Sequence, residues 1–287
     1  MTPPPSAPRL DAAAGLPRLL YGTAWKKEDT ARWVQQAITL GFRAIDTACQ
    51  PKHYDEAGVG QGLAAGLAAT GLTRADVFIQ TKFTPLSSQD PANVPYNAEA
   101  SLPEQVAQSF AASRRNLRTT YLDSLILHAP LADPDQTLTV WRAMEQLADS
   151  GATRHIGLSN CYDLDAFVAL YEAARIKPWA VQNRFQAKND YDRPLRAFCQ
   201  QHGIVYQSFW TLTANPQVLA HPDLQALATR LQRTSAQVFF RYLTQIGVLP
   251  LTGTCSAQHM QDDLAIFEFA LDAAACDAIG RLLSPSS

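Results

Sequence analysis

Short aliphatic or β-branched runs alternate with longer amphipathic stretches along most of the chain. Residues Glu28–Leu40 carry apolar side chains at Ala31, Val34, Ala37 and Ile38, close to a helical period, until Gly41 stops the helix and Phe42–Thr47 begins a strand. The same helix-then-strand order recurs in Val59–Leu67 and Val77–Thr81, Leu102–Leu117 and Ser124–Leu127, and Leu138–Ala148 and Ala152–Leu158. It continues in Leu164–Ala174 and Trp179–Gln182, Arg193–His202 and Ile204–Ser208, and Ser235–Gln245 and Gly247–Leu251. With the opening Leu19–Tyr21 run this makes about eight strands separated by helices, the pattern of an α/β (β/α)8 TIM barrel. The strands are short and apolar, as strands must be when helices cover them outside and side chains fill the barrel within.

Two stretches break the rhythm. Thr84–Ala100 and Trp210–Pro222 are rich in Pro, Asn and small polar residues, and each follows a strand at the face where the C-terminal strand ends converge. Lid or substrate-pocket duty is the expectation for loops of that length.

A length of 287 residues suits one barrel, expected over 18–287, with a Pro- and Ala-rich segment at 1–17 expected to be flexible. Hydrophobic residues at 47% provide for a large core, and a net charge of -2 leaves no electrostatic footprint for nucleic acid or an acidic membrane surface. The N-terminus lacks the basic start and apolar run of a secretory signal, and no apolar stretch is long enough to span a bilayer. Cys49, Cys161, Cys199, Cys255 and Cys276 are odd in number and without CxxC spacing, which argues against disulfides or zinc and for a reducing cytoplasm.

Three of the expected strands end on groups able to handle a proton: Asp46, Lys82 and His128, with Tyr54 in the turn after Asp46. A lysine closing an apolar strand needs a counter-charge, and Asp46 at the neighbouring strand end supplies one. A phenol beside that ammonium is expected to ionise more easily, making Tyr54 an acid near neutrality, with His128 donating to a carbonyl oxygen. A lone His or Lys at a strand end is more often a satisfied structural residue; four compatible groups at or just after successive strand ends read as an active site.

The motifs GTAW (Gly22–Trp25), GFRAIDTA (Gly41–Ala48), YDEAGVG (Tyr54–Gly60), TK (Thr81–Lys82), YLDSLILHAP (Tyr121–Pro130) and HIGLSN (His155–Asn160) together resemble the aldo-keto reductase superfamily, from about Leu19 to Leu271. That resemblance implies a metal-free barrel that binds NADP(H) or NAD(H) and passes hydride to a small-molecule aldehyde or ketone. It puts the catalytic tetrad on Asp46, Tyr54, Lys82 and His128, with Trp25, His53 and Trp210 in the substrate pocket. Ser159, Asn160 and Gln182 would hold the nicotinamide carboxamide and Phe209 would stack on its ring, although Ser159 or Asn160 could equally cap a helix. Gly22, Thr23, Leu212, Thr252, Gly253, Thr254, Ser256, His259 and Asp263 complete the implied cofactor site.

The sequence departs from the family pattern twice. Seven residues separate Asp46 from Tyr54, about three more than usual, and counting back from Val59–Gly60 puts His53 on the tyrosine position. Phenol chemistry next to Lys82 favours Tyr54, with His53 the rival. At the adenosine end, Leu251 and His259 stand where NADPH-preferring relatives carry lysine and arginine, so the preference for a 2′-phosphate is expected to be weak; Asp262 and Asp263 could meet an unphosphorylated ribose. A non-catalytic nucleotide-binding barrel with a regulatory role is the alternative reading. A metal-dependent hydrolase is weaker still, because there is no HxH pair.

Overall fold

The computed structural model describes residues 17–283; all but Pro17 of the segment expected to be flexible lies outside them. Eight parallel strands close into a barrel in sequence order: β1 (Leu20–Gly22), β2 (Ala44–Asp46), β3 (Phe78–Phe83), β4 (Leu122–Leu127), β5 (Thr153–Ser159), β6 (Ala180–Arg184), β7 (Val205–Phe209) and β8 (Val248–Thr252). The seam closes through β1 on β8, with Tyr21 paired to Thr252. The helices between them are α1 (Thr30–Leu40), α2 (Glu56–Thr70), α3 (Leu102–Asn116), α4 (Pro134–Asp149), α5 (Leu164–Ala173), α6 (Arg193–Gln201), and then three between β7 and β8: α7 (Pro216–Leu219), α8 (Pro222–Leu231) and α9 (Ser235–Gln245). After β8 come α10 (Ala257–Leu264) and α11 (Ala273–Leu282).

Alternation along each strand sorts side chains into two environments. Outward residues such as Ile45, Ile79, Leu125, Leu127 and Val181 join Val34, Ile38, Val59, Phe110, Trp141 and Phe239 of the helices in one continuous core. Inward residues stack in layers. The bottom layer is apolar, with Leu20, Ala44, Phe78 and Leu249 packed against Trp179 and Val205. The middle layer is polar, and Lys82, Arg184 and Phe209, each two residues further along a strand, face the mouth. Gly157 belongs to the inward set: a Cβ there would meet Ile126 Cδ1 at 2.5 Å and the Ala180 carbonyl at 2.6 Å, so only glycine lets β4 and β6 fill that side of the barrel.

The loop expectations hold unevenly. Thr84–Ala100 contains only a short 3-10 turn at Leu86–Ser88 and is fastened by Tyr96, whose hydroxyl donates to the Thr84 carbonyl at 2.8 Å. In Trp210–Pro222 the reading missed α7 and the start of α8, where His221 caps the Asp223 amide and Leu224, Leu227 and Ala228 form a buried stripe.

Candidate active site

The middle layer is a hydrogen-bonded plate. Gln80 Nε2 donates to Asp46 Oδ1 (2.7 Å) and to Gln207 Oε1 (2.8 Å), while Gln182 Nε2 donates to Asp46 Oδ1 (3.1 Å) and Gln207 Oε1 (2.9 Å). Lys82 descends onto it from above. Its Nζ reaches Asp46 Oδ1 and Oδ2 at 2.8 and 2.7 Å and the Thr47 carbonyl at 2.8 Å, so all three ammonium donors are used. Burial pulls the lysine pKa down and Asp46 holds it up, and at 1% exposure the pair is dry.

Tyr54 arrives from the turn between β2 and α2. The long interval after Asp46 forms a closed loop: the amides of His53 and Tyr54 both donate to the Gln50 carbonyl (3.0 Å), and Gln50 Nε2 donates to the Ser88 carbonyl (2.6 Å). Asp55 then caps α2 by accepting from the Gly58 amide at 2.9 Å. The Tyr54 ring sits 5.4 Å from Lys82 Nζ and edge-on to His128, with centroids 6.1 Å apart. The expectation that Lys82 makes this phenol more acidic is not met. Its pKa is raised, chiefly by burial and further by the Asp46 charge, because the ammonium spends its donors on Asp46 and Thr47 rather than on the phenol.

His128 follows the last residue of β4, where its amide donates to the Phe83 carbonyl. Its Nδ1 is 2.7 Å from Thr84 Oγ1, and burial together with the Lys82 charge lowers its pKa well below the usual imidazole value, so it is neutral. His53 lines the same cavity as Tyr54 and His128, near enough for its charge to act on His128. It stacks on Trp25 with centroids 4.0 Å apart, its Nδ1 is buried without a partner, and burial lowers its pKa.

One cavity of about 950 Å³ runs from this cluster along the barrel mouth to α10. Asp46, Tyr54, His128, Trp25, His53, Trp210, Gly22, Ser159, Asn160, Gln182, Phe209 and Leu212 line it near the mouth. Thr252, Gly253, Thr254, His259, Asp262 and Asp263 line its far end. Asn160 is held by its own bonds, Nδ2 donating to the His128 carbonyl at 2.8 Å, and Ser159 Oγ donates to the Gln182 carbonyl at 2.7 Å, so neither serves as a helix cap; Asp163 caps α5 instead. Three expected site residues do not line the cavity: Lys82 is buried under Tyr54 with its ammonium on Asp46, Thr23 is fully buried with its hydroxyl on the Asp46 carbonyl (2.9 Å), and Ser256 caps α10. The Thr84–Ala100 loop contributes Ser88 alone to the lining.

Sequence reasoning missed two cations in this cavity. Lys26, buried at 6% exposure, donates to the Gly253 carbonyl at 2.8 Å and approaches Cys255 Sγ at 3.6 Å; its signal was its place directly after Trp25 in GTAWK. Arg184 stands two residues after Gln182 on the same inward face of β6. Among the described residues no group of three or more His, Cys, Asp or Glu is gathered as a metal site, and no helix is long and apolar enough to cross a membrane.

Asp263 gives the far end a pH dependence. Its carboxyl is 4% exposed and accepts from Thr252 Oγ1 at 2.7 Å, yet burial and the neighbouring Asp262 push its pKa from 3.8 up to about 7. A folded-state value above the unfolded one means that folding favours the protonated form. That contribution to stability is full below pH 3.8 and is lost as pH rises through about 7. Asp263→Asn is therefore expected to flatten the fall in stability over this range, measured by urea denaturation at a series of pH values.

A parallel barrel whose mouth gathers a phenol, a neutral imidazole and a buried ion pair beside amide and hydroxyl groups has the parts to bind a polar ligand and hand it a proton. The sequence matches the Aldo/keto reductase family over residues 18–283, and the chain belongs to that family of NAD(P)H-dependent oxidoreductases. An uncharacterized oxidoreductase of Bacillus subtilis is 30% identical over 238 residues, covering 83% of this chain and 78% of that one. Among solved structures, an aldo/keto reductase of Brucella melitensis superposes with a TM-score of 0.79 at 26% identity, covering 96% of this chain and 98% of the other. A Bombyx mori aldo-keto reductase in complex with NADP gives 0.78 at 25% identity, covering 96% and 92%.

Proposed function

We propose that the protein reduces an aldehyde or ketone to the alcohol, with Tyr54 as proton donor and the barrel from residue 18 onward as one functional domain. The observation that carries this reading is the phenol of Tyr54 opening on the same cavity as His128, directly over the buried Lys82–Asp46 pair. A phenol kept neutral by burial is a proton donor across the physiological range. Once it gives its proton to the carbonyl oxygen, Lys82 is placed to stabilise the phenolate that forms. In the tautomer in which Nδ1 accepts from Thr84 Oγ1, neutral His128 would present Nε2–H to the same oxygen and orient the carbonyl.

The donor set fits a nicotinamide dinucleotide. Asn160 and Gln182 offer amide groups and Ser159 a hydroxyl beside the Phe209 ring, while Lys26 and the Gly253–Thr254 backbone lead to the N-terminus of α10, which suits phosphate. When bound, that cofactor supplies the hydride. The residues of this chain hold the carboxamide, keep the floor dry through the glutamine plate and move the proton at Tyr54 Oη. Oxidation of NADPH and of NADH, followed in parallel across a panel of aldehydes and ketones, tests the reading; turnover with none of them overturns it in favour of a non-catalytic nucleotide-binding barrel.

NADP(H) is the proposed cofactor, with a weakened preference over NAD(H), because Leu251 and His259 replace the stronger cations and Asp262 and Asp263 share the far end. His259→Arg is expected to tighten NADPH by roughly tenfold and to leave NADH nearly unchanged, since one charge-assisted hydrogen bond contributes about 1.5–3 kcal/mol and only NADPH carries the phosphate. Fluorescence titration of both cofactors at one ionic strength measures it. A parent enzyme that already prefers NADPH by about a thousandfold, or about 4 kcal/mol, would place the grip on other residues.

A further inference from the structure

Arg184 is a cation without a counter-charge, set in the cavity wall. It is the last residue of β6 and lies on the same inward face as Gln182, one layer nearer the mouth. Its Nε is buried without a hydrogen-bond partner, and no carboxylate of the described residues pairs with it. Several arginines of the described residues are answered by carboxylates, Arg74 and Arg154 by Asp123, Arg175 by Asp149 and Arg193 by Asp190, and none of these four lines the cavity. Arginine does not lose its proton in a protein, so this site holds a fixed positive charge with free planar donors.

The surroundings keep it in place. The guanidinium lies 4.1 Å from the Trp210 ring centre and 5.9 Å from that of Phe209. Trp210 is 49% exposed and has φ +54°, a left-handed backbone that a bulky residue adopts only when the surroundings impose it. The Arg184 amide donates to the Tyr162 hydroxyl (3.1 Å), which donates to Asn160 Oδ1 (3.3 Å), and Asn160 Nδ2 donates to the His128 carbonyl (2.8 Å). The backbone that carries Arg184 is thus tied by a short bonded chain to the backbone of the residue assigned to orient the carbonyl.

We propose that Arg184 and Trp210 form an anion anchor for a carbonyl substrate that carries a carboxylate, the guanidinium fork meeting its two oxygens and the indole covering a flat or unsaturated body. This rests on the carbonyl-reductase reading given above. A phosphate presents the same paired anionic oxygens, and the cofactor is a second source of them. The substrate is favoured because the donors proposed above for the cofactor phosphates, Lys26 and the start of α10, lie on the β8 and β1 side, away from β6.

The test compares Arg184→Met and Arg184→Lys with the parent, each first checked for an unchanged circular dichroism spectrum. For 4-carboxybenzaldehyde against 4-nitrobenzaldehyde, the ratio of kcat/KM is expected to fall at least tenfold in Arg184→Met, mainly through KM, and to recover in part in Arg184→Lys. Quenching of tryptophan fluorescence by benzoate but not benzamide is expected in the parent and lost in Arg184→Met. A ratio that does not move overturns the proposal, as does a fall in NADPH and NADH affinity without a change in the ratio, which would give the anchor to the cofactor diphosphate. Benzoate binding that depends on Arg184 in a protein that turns over neither aldehyde would leave the anion anchor standing and remove the reductase reading instead.

Discussion

Replacing Tyr54 with phenylalanine is expected to lower turnover on the order of 10²-fold or more while leaving cofactor affinity nearly unchanged. The substitution removes one oxygen and keeps the ring, so the packing against His128 and the contact with Lys82 survive, and what disappears is the proton. His53→Ala should do far less. His53 opens on the same cavity but stacks on Trp25, and its lowered pKa favours the neutral imidazole, which leaves it a poor acid. Steady-state kinetics on both variants, with binding of NADPH measured separately, decides between them, and the reverse order of effects transfers the proton to His53. The pH profile is a second check. Because burial and Asp46 raise the Tyr54 pKa above its ordinary 10.0, the donor stays protonated and turnover should show no alkaline loss from tyrosine ionisation between about pH 7 and 9.

Much of the fold was legible because barrel strands buried on both sides write themselves as short apolar runs between amphipathic stretches. The helices lost to the reading are those whose signal was mixed with loop residues. In HPDLQALATRL the proline at the helix start suggested a loop, although His221 as cap and the spacing of Leu224, Leu227 and Leu231 describe a helix. The strand-end groups were also legible, since strand parity puts Asp46, Lys82 and Gln182 inside once the strands are placed.

What could not be read is the competition among them. Nothing in one sequence says that a lysine will spend its three donors on an aspartate and a carbonyl, leaving the tyrosine to be governed by burial. Nor does the sequence announce that Gln80, Gln182 and Gln207, up to 127 residues apart, meet in one plate beneath Asp46. The family resemblance assigns Gln182 to the cofactor site, but glutamine in a strand otherwise reads as a solvent-facing residue, and only barrel closure turns Gln80 and Gln207 inward to join it. The same holds for Lys26, whose partner at Gly253 is 227 residues away.

The plate and the ion pair above it set the second large expectation. Lys82→Met removes the cation that answers Asp46 and leaves a carboxylate at 2% exposure with only amide donors from Gln80 and Gln182. Breaking a buried pair on one side costs about 3–5 kcal/mol, because the stranded charge keeps its desolvation penalty and loses its partner. Asp46→Asn should be costly for the same reason, leaving the ammonium on neutral carbonyl acceptors with no counter-charge. The double variant Asp46→Asn, Lys82→Met removes both charges and should regain a large part of the loss, since an uncharged floor needs no counter-ion. Urea denaturation of the parent, both single variants and the double variant measures the coupling directly. Turnover separates the two roles of the pair: the double variant should recover stability without recovering activity, because a refolded floor with no ammonium has nothing to stabilise the phenolate of Tyr54. If the single losses simply add in the double variant, the two charges do not depend on each other, and if activity returns with stability, Lys82 acts only by holding the fold.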